Sequence, residues 1–394
     1  MAARTLIRGA TVITLDRLGD LPEADILVSG DVIQEIGPRI QADDAEVVSA
    51  AGCIVIPGLI NAHLHTWQTA LRGVAANWTL LEYFQKMHAG LATVFAPEDL
   101  HIATLVGALN QLNNGTTTLV DWCHNNRTPA HNDAAIDGLL QSGIRAAFFH
   151  GTPKPDPKPG ETPFWEVPHP RAEVERLLKA HQGRALLSIG AAVLGPHYST
   201  LEVALHDFRM ARDLGVIASL HQGGGPARTP EGWDTLQAEG LLGPHVNIVH
   251  GHALSDAQLK TFCDLGMSFS AAAESEMSQG HGHPLTGRLR ALATTGAKRD
   301  PLLPDLPTVA EAGVTGYESG VWFGLAVAPG TPKEIIAKLN AEAVKGTKAP
   351  EYVKRMTELG YNILGTSPEV MAEMTRNEVQ RWGPIVKASG AKAD

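Results

Sequence analysis

Apolar and polar residues alternate over positions 4 to about 56, in the runs TLIRGATVITL, ADILVSGDVIQEIG and AEVVSAAGCIVIP. A period of two puts every second side chain on one face, so these runs predict strands, and the Gly, Asp and Pro between them predict turns. Residues 1–56 are therefore expected to form a small N-terminal β unit. From Pro57 the pattern changes. Short apolar runs (GTTTLVDW, IRAAFFHG, ALLSIGAAV, GVIASLHQG, VNIVHGH, GMSFSAA) alternate with stretches of helical period such as EVERLLKAHQ. That order predicts strand–helix–strand units and a parallel sheet. With at least seven candidate strands, the expected architecture is α/β: a (β/α)8-type barrel over 57–289, with its chemistry at the C-terminal ends of the strands. The Pro-rich stretch KPDPKPGETPFWEVPHP, residues 154–170, cannot hold a regular element and is expected to be an irregular loop on the active face. Beyond about Arg290 the texture changes once more, and 290–394 read as a different, appended α/β segment.

Composition narrows the function classes. A length of 394 residues suggests two or three units, and 44% hydrophobic with 19% charged residues is ordinary globular composition. A formal net charge of -10 without a Lys/Arg cluster argues against nucleic acid as a partner. No apolar run approaches the roughly 20 residues that span a bilayer, so no membrane partner is expected. The three cysteines, Cys53, Cys123 and Cys263, lie in separate segments without CxxC spacing. They indicate neither a disulfide framework nor a zinc ribbon. The N-terminus reads as a strand rather than an export signal, and the expected location is cytoplasmic. The expected partner is a small-molecule substrate, and a homo-oligomer is left open.

The chemistry-bearing signal is Pro57-Gly58-Leu59-Ile60-Asn61-Ala62-His63-Leu64-His65, an apolar strand ending in two histidines two residues apart. Strand alternation puts both imidazoles on one face, where they can bind a divalent ion such as zinc while a coordination position stays open for water. The bland reading of HxH is an exposed polar strand end. His221, in GVIASLHQGGG, and His250, in HVNIVHGHAL, also end apolar strands. A single such histidine is more often a hydrogen-bonded core residue, but four in chain order would converge on one barrel mouth. His221 is read as a ligand, and His250 as a ligand or as the base that orients water or substrate. His252 shares the face of His250 and is a weaker candidate. Trp67, Gln68 and Arg72 follow the HxH strand and are candidate pocket residues. Asp121 ends a strand and is weighed as a metal-facing carboxylate against a structural hydrogen-bonding role. Glu274, Glu276, His281 and His283 fall in the loop after the seventh strand. There either glutamate could supply a carboxylate, and the histidines would shape the pocket.

Residues 1 to about 290 resemble the amidohydrolase superfamily, in its branch of chlorohydrolases and cytosine-deaminase-like enzymes. The resemblance runs in order through PGLINAHLH, Gln68, Arg72-Gly73, NNGTTTLVDW, SLHQGGG, VHGHALSD and GHGHPLTGRL. It implies a metal-dependent hydrolase of non-peptide carbon–nitrogen bonds. One divalent ion, zinc or iron, would sit on His63, His65 and His221, with His250 beside the reactive water. Two departures follow from the same comparison. Gln222-Gly223-Gly224 stands where deaminases of this branch carry HxxE, which argues against ring deamination. The strand-eight Asp that completes the metal site and takes the water's proton has no counterpart, so the barrel is expected to be truncated before its last strand and its activity impaired. From about 289 the chain instead resembles the C-terminal third of substrate-binding proteins of tripartite tricarboxylate transporters. Asp300 and Asp305 belong to that context rather than to a catalytic site. The alternatives implied are a small-carboxylate binder or an inactive fusion.

Overall fold

The computed structural model describes residues 3–278 apart from 76–77 and 224–225, then 285, 298–299, 307–308, 311 and 324–327, and finally 330–358 and 363–389. His281, His283, Asp300 and Asp305 lie outside the described residues. The described chain divides into two compact units, 1–272 and 273–394.

The first unit begins with a five-stranded sheet: β1 (Arg4–Ile13), β2 (Asp20–Ser29), β3 (Val32–Gly37), β4 (Glu46–Ser49) and β5 (Ile54–Val55). Strand β1 pairs antiparallel with β2 and parallel with β4 and β5. Alternation sends Ala10, Val12, Ala24 and Ile26 into one buried cluster, and Leu6 and Leu27, one register step away, into another with Ile40. The register breaks between Ile7 and Ala10, where Gly9 has φ +78°, a conformation open to glycine at little cost. Buried Asp25 satisfies that bulge by accepting from the backbone N–H of Gly9 and, through its other oxygen, from that of Ile40.

The barrel strands follow: β6 (Leu59–Leu64), β7 (Thr116–Cys123), β8 (Arg145–Gly151), β9 (Leu187–Val193), β10 (Ala218–Gln222), β11 (Val246–His250) and β12 (Ser268–Ser270). They pair in sequence order and all in parallel. Among the described residues the longer helices between them span Pro97–Asn113, Pro129–Ser142, Arg171–Ala180, Leu201–Leu214, Gly232–Ala238 and Asp256–Asp264. The period of two sorts each strand. Leu119, Cys123, Ala146 and Phe148 pack outward with Leu100, Ala108, Ile136 and Leu139 of the first two helices. Val120, Trp122, Ala147 and Phe149 point inward, where they meet Ala192 and Val249. The Pro-rich stretch 154–170 holds only the short 3-10 turn Phe164–Glu166, as its prolines predict.

Seven parallel strands form a nearly closed barrel, and a polar belt carries the closure. The Trp122 indole donates to Ser219 Oγ (3.0 Å), which donates to Asn247 Oδ1 (2.8 Å). The Asn247 amide donates to Ser268 Oγ (3.1 Å) and Ser270 Oγ (3.2 Å), and Ser270 Oγ donates to the Ala62 carbonyl on β6 (3.4 Å). The belt thus joins the last described strand to the first. On the far side of β6, where an eighth strand would pair, Leu59 is 51% and Ile60 70% exposed. Among the described residues no strand pairs with β6 on that side. In the second unit the helices Lys333–Gly346, Pro350–Glu358 and Pro368–Ser389 follow one another, and Asn340 donates to the Thr366 carbonyl.

Ser219→Ala would leave a buried indole N–H and an amide oxygen without partners, at a cost of about 1–3 kcal/mol. Ser268→Ala, at an exposed end of the belt, should cost less than half of that. Chemical denaturation followed by circular dichroism compares the two.

Candidate metal centre

Each histidine of the site is delivered by a strand end. His63 lies on β6, His65 one residue past it, His221 on β10 and His250 on the last residue of β11. His250 has φ +73° and is followed by Gly251 at φ +75°. This left-handed kink is costly for a side-chain-bearing residue, and such strain clusters at functional sites. It is held by the Gly251 N–H, which donates to the Gln222 carbonyl (3.0 Å) and ties the end of β11 to that of β10. Ring nitrogens of His63, His221 and His250 lie within 4.8 Å of one another, and the Nε2 atoms of His63 and His221 are 3.2 Å apart. His65 sits beside them, its ring 4.7 Å from that of His63 and 5.2 Å from that of His221. Its Nδ1 meets the Trp122 carbonyl oxygen at 2.6 Å. A carbonyl only accepts, so Nδ1 carries the proton and Nε2 keeps its lone pair. This is the arrangement that orients a metal-binding imidazole.

Burial governs the electrostatics. It pushes His63 and His221 well below the usual histidine range, with neighbouring imidazoles adding to the shift. His65 is driven to about 3 by burial, partly offset by its bond to Trp122. These rings are neutral at physiological pH, as ligation requires. The donor set therefore fits a borderline divalent cation: the imidazole nitrogens of His63, His221 and His250 converge, and the buried His63 Nδ1 has no hydrogen-bond partner. Among the described residues no carboxylate joins the cluster.

The remaining candidates are placed as follows. Asp121 is fully buried and accepts from the Thr66 backbone N–H (3.0 Å), so it braces the turn just after His65. Burial raises its carboxyl to about 6. Trp67 is buried and donates from its indole to His124 Nδ1 (2.9 Å). Gln68 donates to the Tyr83 hydroxyl (2.5 Å), and Arg72 is exposed. The His252 ring lies 5.9 Å from that of His250. Glu274 and Glu276 fall on the helix Ala273–Ser278 of the second unit, where Glu276 is buried.

Four residues were not singled out from sequence. His124 stacks on His65 at 4.1 Å, and His88 meets His124 edge-on at 4.3 Å. His124 follows β7 directly, so the strand-end rule that found the others would have found it. His88, on the short helical stretch Phe84–His88, had no such signal. His197, beside Gln222 at 3.2 Å, follows β9 in GPHY. Lys154, in the Pro-rich loop, is 7% exposed and lies with its ammonium 5.3 Å from the centre of the Trp122 ring. The same loop ends at His169, which pairs with His150 (3.0 Å) and whose backbone N–H donates to buried Asp207 (2.8 Å).

Residues 54–263 match the model of the Amidohydrolase family, and residues 279–391 that of the Tripartite tricarboxylate transporter family receptor. The first region is similar to a 5-methylthioadenosine/S-adenosylhomocysteine deaminase of Carboxydothermus hydrogenoformans, 31% identical over 40% of this chain and 35% of the relative. The C-terminal region is similar to the UPF0065 protein in the tcbD-tcbE intergenic region of Pseudomonas sp. (strain P51), 40% identical over 26% of this chain and 31% of the relative. Among solved structures, an atrazine chlorohydrolase from Arthrobacter aurescens TC1 complexed with zinc superposes with a TM-score of 0.61 at 22% identity, covering 72% of this chain and 69% of that one. The chain spans about a third of the length of these two curated relatives.

Burial holds His150 at about 4 and His169 well below the usual range, so both are neutral in the fold and protonate on unfolding near pH 6.5. Their folded values are depressed, so stability is full above about pH 6.5 and falls as the unfolded chain takes up protons, until the folded values are reached. Between pH 7 and 5 the shift of His150 should cost on the order of 2 kcal/mol, and that of His169 acts in the same direction. Urea titrations across that range should show the loss, and His150→Gln should flatten it.

Proposed function

Because this chain belongs to the amidohydrolase family, whose model matches more than half of it, we propose that it is a metal-dependent hydrolase of carbon–nitrogen bonds in small molecules. The observation that carries this reading is the convergence of strand-end imidazoles at one barrel mouth, with those of His63 and His221 held neutral by burial. His63, His65 and His221 are the proposed ligands of one divalent ion, zinc or iron, and His250 stands beside them. The chemistry resides in 57–289, with 290–394 appended. When bound, the ion supplies Lewis acidity and lowers the pKa of water toward about 7.

The chain's own residues do the rest. The Trp122 carbonyl fixes the tautomer of His65, so that the lone pair of Nε2 faces away from it. The kink at His250 brings its ring to 5.3 Å from that of His221, where an imidazole can hold a proton for a leaving amine. Asp121 holds the turn after His65 and is engaged with Thr66 rather than the imidazoles. The proton acceptor that the family places on strand eight has no counterpart in the sequence. A positioned base contributes typically 10² to 10⁴ in rate, so turnover is expected to be slower by about that factor. Gln222-Gly223-Gly224 lacks the glutamate of ring deaminases, which argues against loss of a ring amine and favours amide-like C–N substrates.

Ammonia release from a panel of amides, ureides and aminated heterocycles tests this. Weak, chelator-sensitive release restored by added zinc or iron is expected, with His221→Ala reducing it by at least about 10²-fold. Release that is indifferent to chelator and to His221→Ala would reject the reading.

A further inference from the structure

Lys154 is a buried charged side chain beside the imidazoles that this mechanism leaves unused. It is 7% exposed, and no carboxylate pairs with it among the described residues. Its ammonium rests against the Trp122 ring, which is itself 4.1 Å from the ring of His221 and 5.7 Å from that of His65. The cation–π contact offsets only part of the lost hydration. The groups around it do not help: its charge is felt at His65, His88, His124 and His221, all held neutral by burial. Burial alone lowers the lysine itself to about 7. A bound divalent ion would add positive charge to the same mouth, where the described residues place no carboxylate among the imidazoles. A buried cation without a counter-charge is a standing cost unless a ligand supplies the anion.

We propose that Lys154 is the anion-recognising residue of this site, and that the hydrolase takes small C–N substrates carrying a carboxylate close to the scissile bond. The second half rests on the hydrolytic reading above; the first does not. The ammonium would receive the carboxylate while Trp122, pinned by its bond to Ser219, sets the position of the charge.

The test compares benzoate with benzamide, which match in shape and differ in charge, on the full-length chain as purified and again after chelation. Chelation removes a metal ion as the competing anion receptor. At about pH 6 wild type should bind benzoate at least about tenfold more tightly than benzamide by calorimetry, before and after chelation. The preference should fade toward about pH 8.5 as the lysine loses its proton while benzoate stays ionised and the neighbouring histidines stay neutral. Lys154→Met should abolish it, keep the wild-type metal content and melt no lower than wild type. Equal binding of the two probes at pH 6, or a preference that survives in Lys154→Met, would overturn the proposal. Should that variant fail to fold, the wild-type charge preference and its pH profile decide alone. Failure of the hydrolytic reading would show separately, as missing metal or missing ammonia release.

Discussion

A parallel sheet gathers residues from the ends of distant strands only if it curls until its two edges approach one another. Here, among the described residues, that curvature is held by seven strands, and the hydrogen-bond belt from Trp122 through Ser219, Asn247 and Ser270 to the Ala62 carbonyl links the last to the first. His63 lies one residue beyond Ala62, and His221 two beyond Ser219, so the groups that close the barrel also set the imidazole positions. Belt and metal centre share one frame. Leu59 and Ile60 stay exposed at the edge of that frame.

Desolvation then decides what the converged side chains can do. In water, clustered imidazoles near neutral pH would be partly protonated and would repel one another. Burial holds His63, His65 and His221 neutral, and a single carbonyl contact selects the tautomer of His65. The same desolvation acts on Lys154 in the opposite sense, because its charged form is the one that loses hydration. One physical cause thus keeps three imidazoles neutral and strips one ammonium of its hydration.

Much of this was legible in the chain. The seven barrel strands were readable because each is a short apolar run between helical stretches, and three metal candidates were readable because a histidine ended such a run. His124 obeyed the same rule and could have been found. Lys154 and His88 could not, since their loop and helical turn carry no period and only the folded chain brings them to the mouth. The kink at His250 is likewise a backbone event without a sequence signal, because glycine follows that residue rather than occupying it. A change of texture was readable at about Arg290, where KRDPLLPD begins to differ from the barrel repeats, and the two family matches end at residue 263 and begin at residue 279.

The central claim is that the histidines gathered by the seven described barrel strands hold a divalent ion. Elemental analysis of the size-fractionated protein, with His63→Ala and His221→Ala as controls, tests it most directly. About one divalent ion per chain, lost in both variants, is the predicted result. A well-folded, monodisperse chain that holds no ion even after incubation with zinc or iron would contradict it.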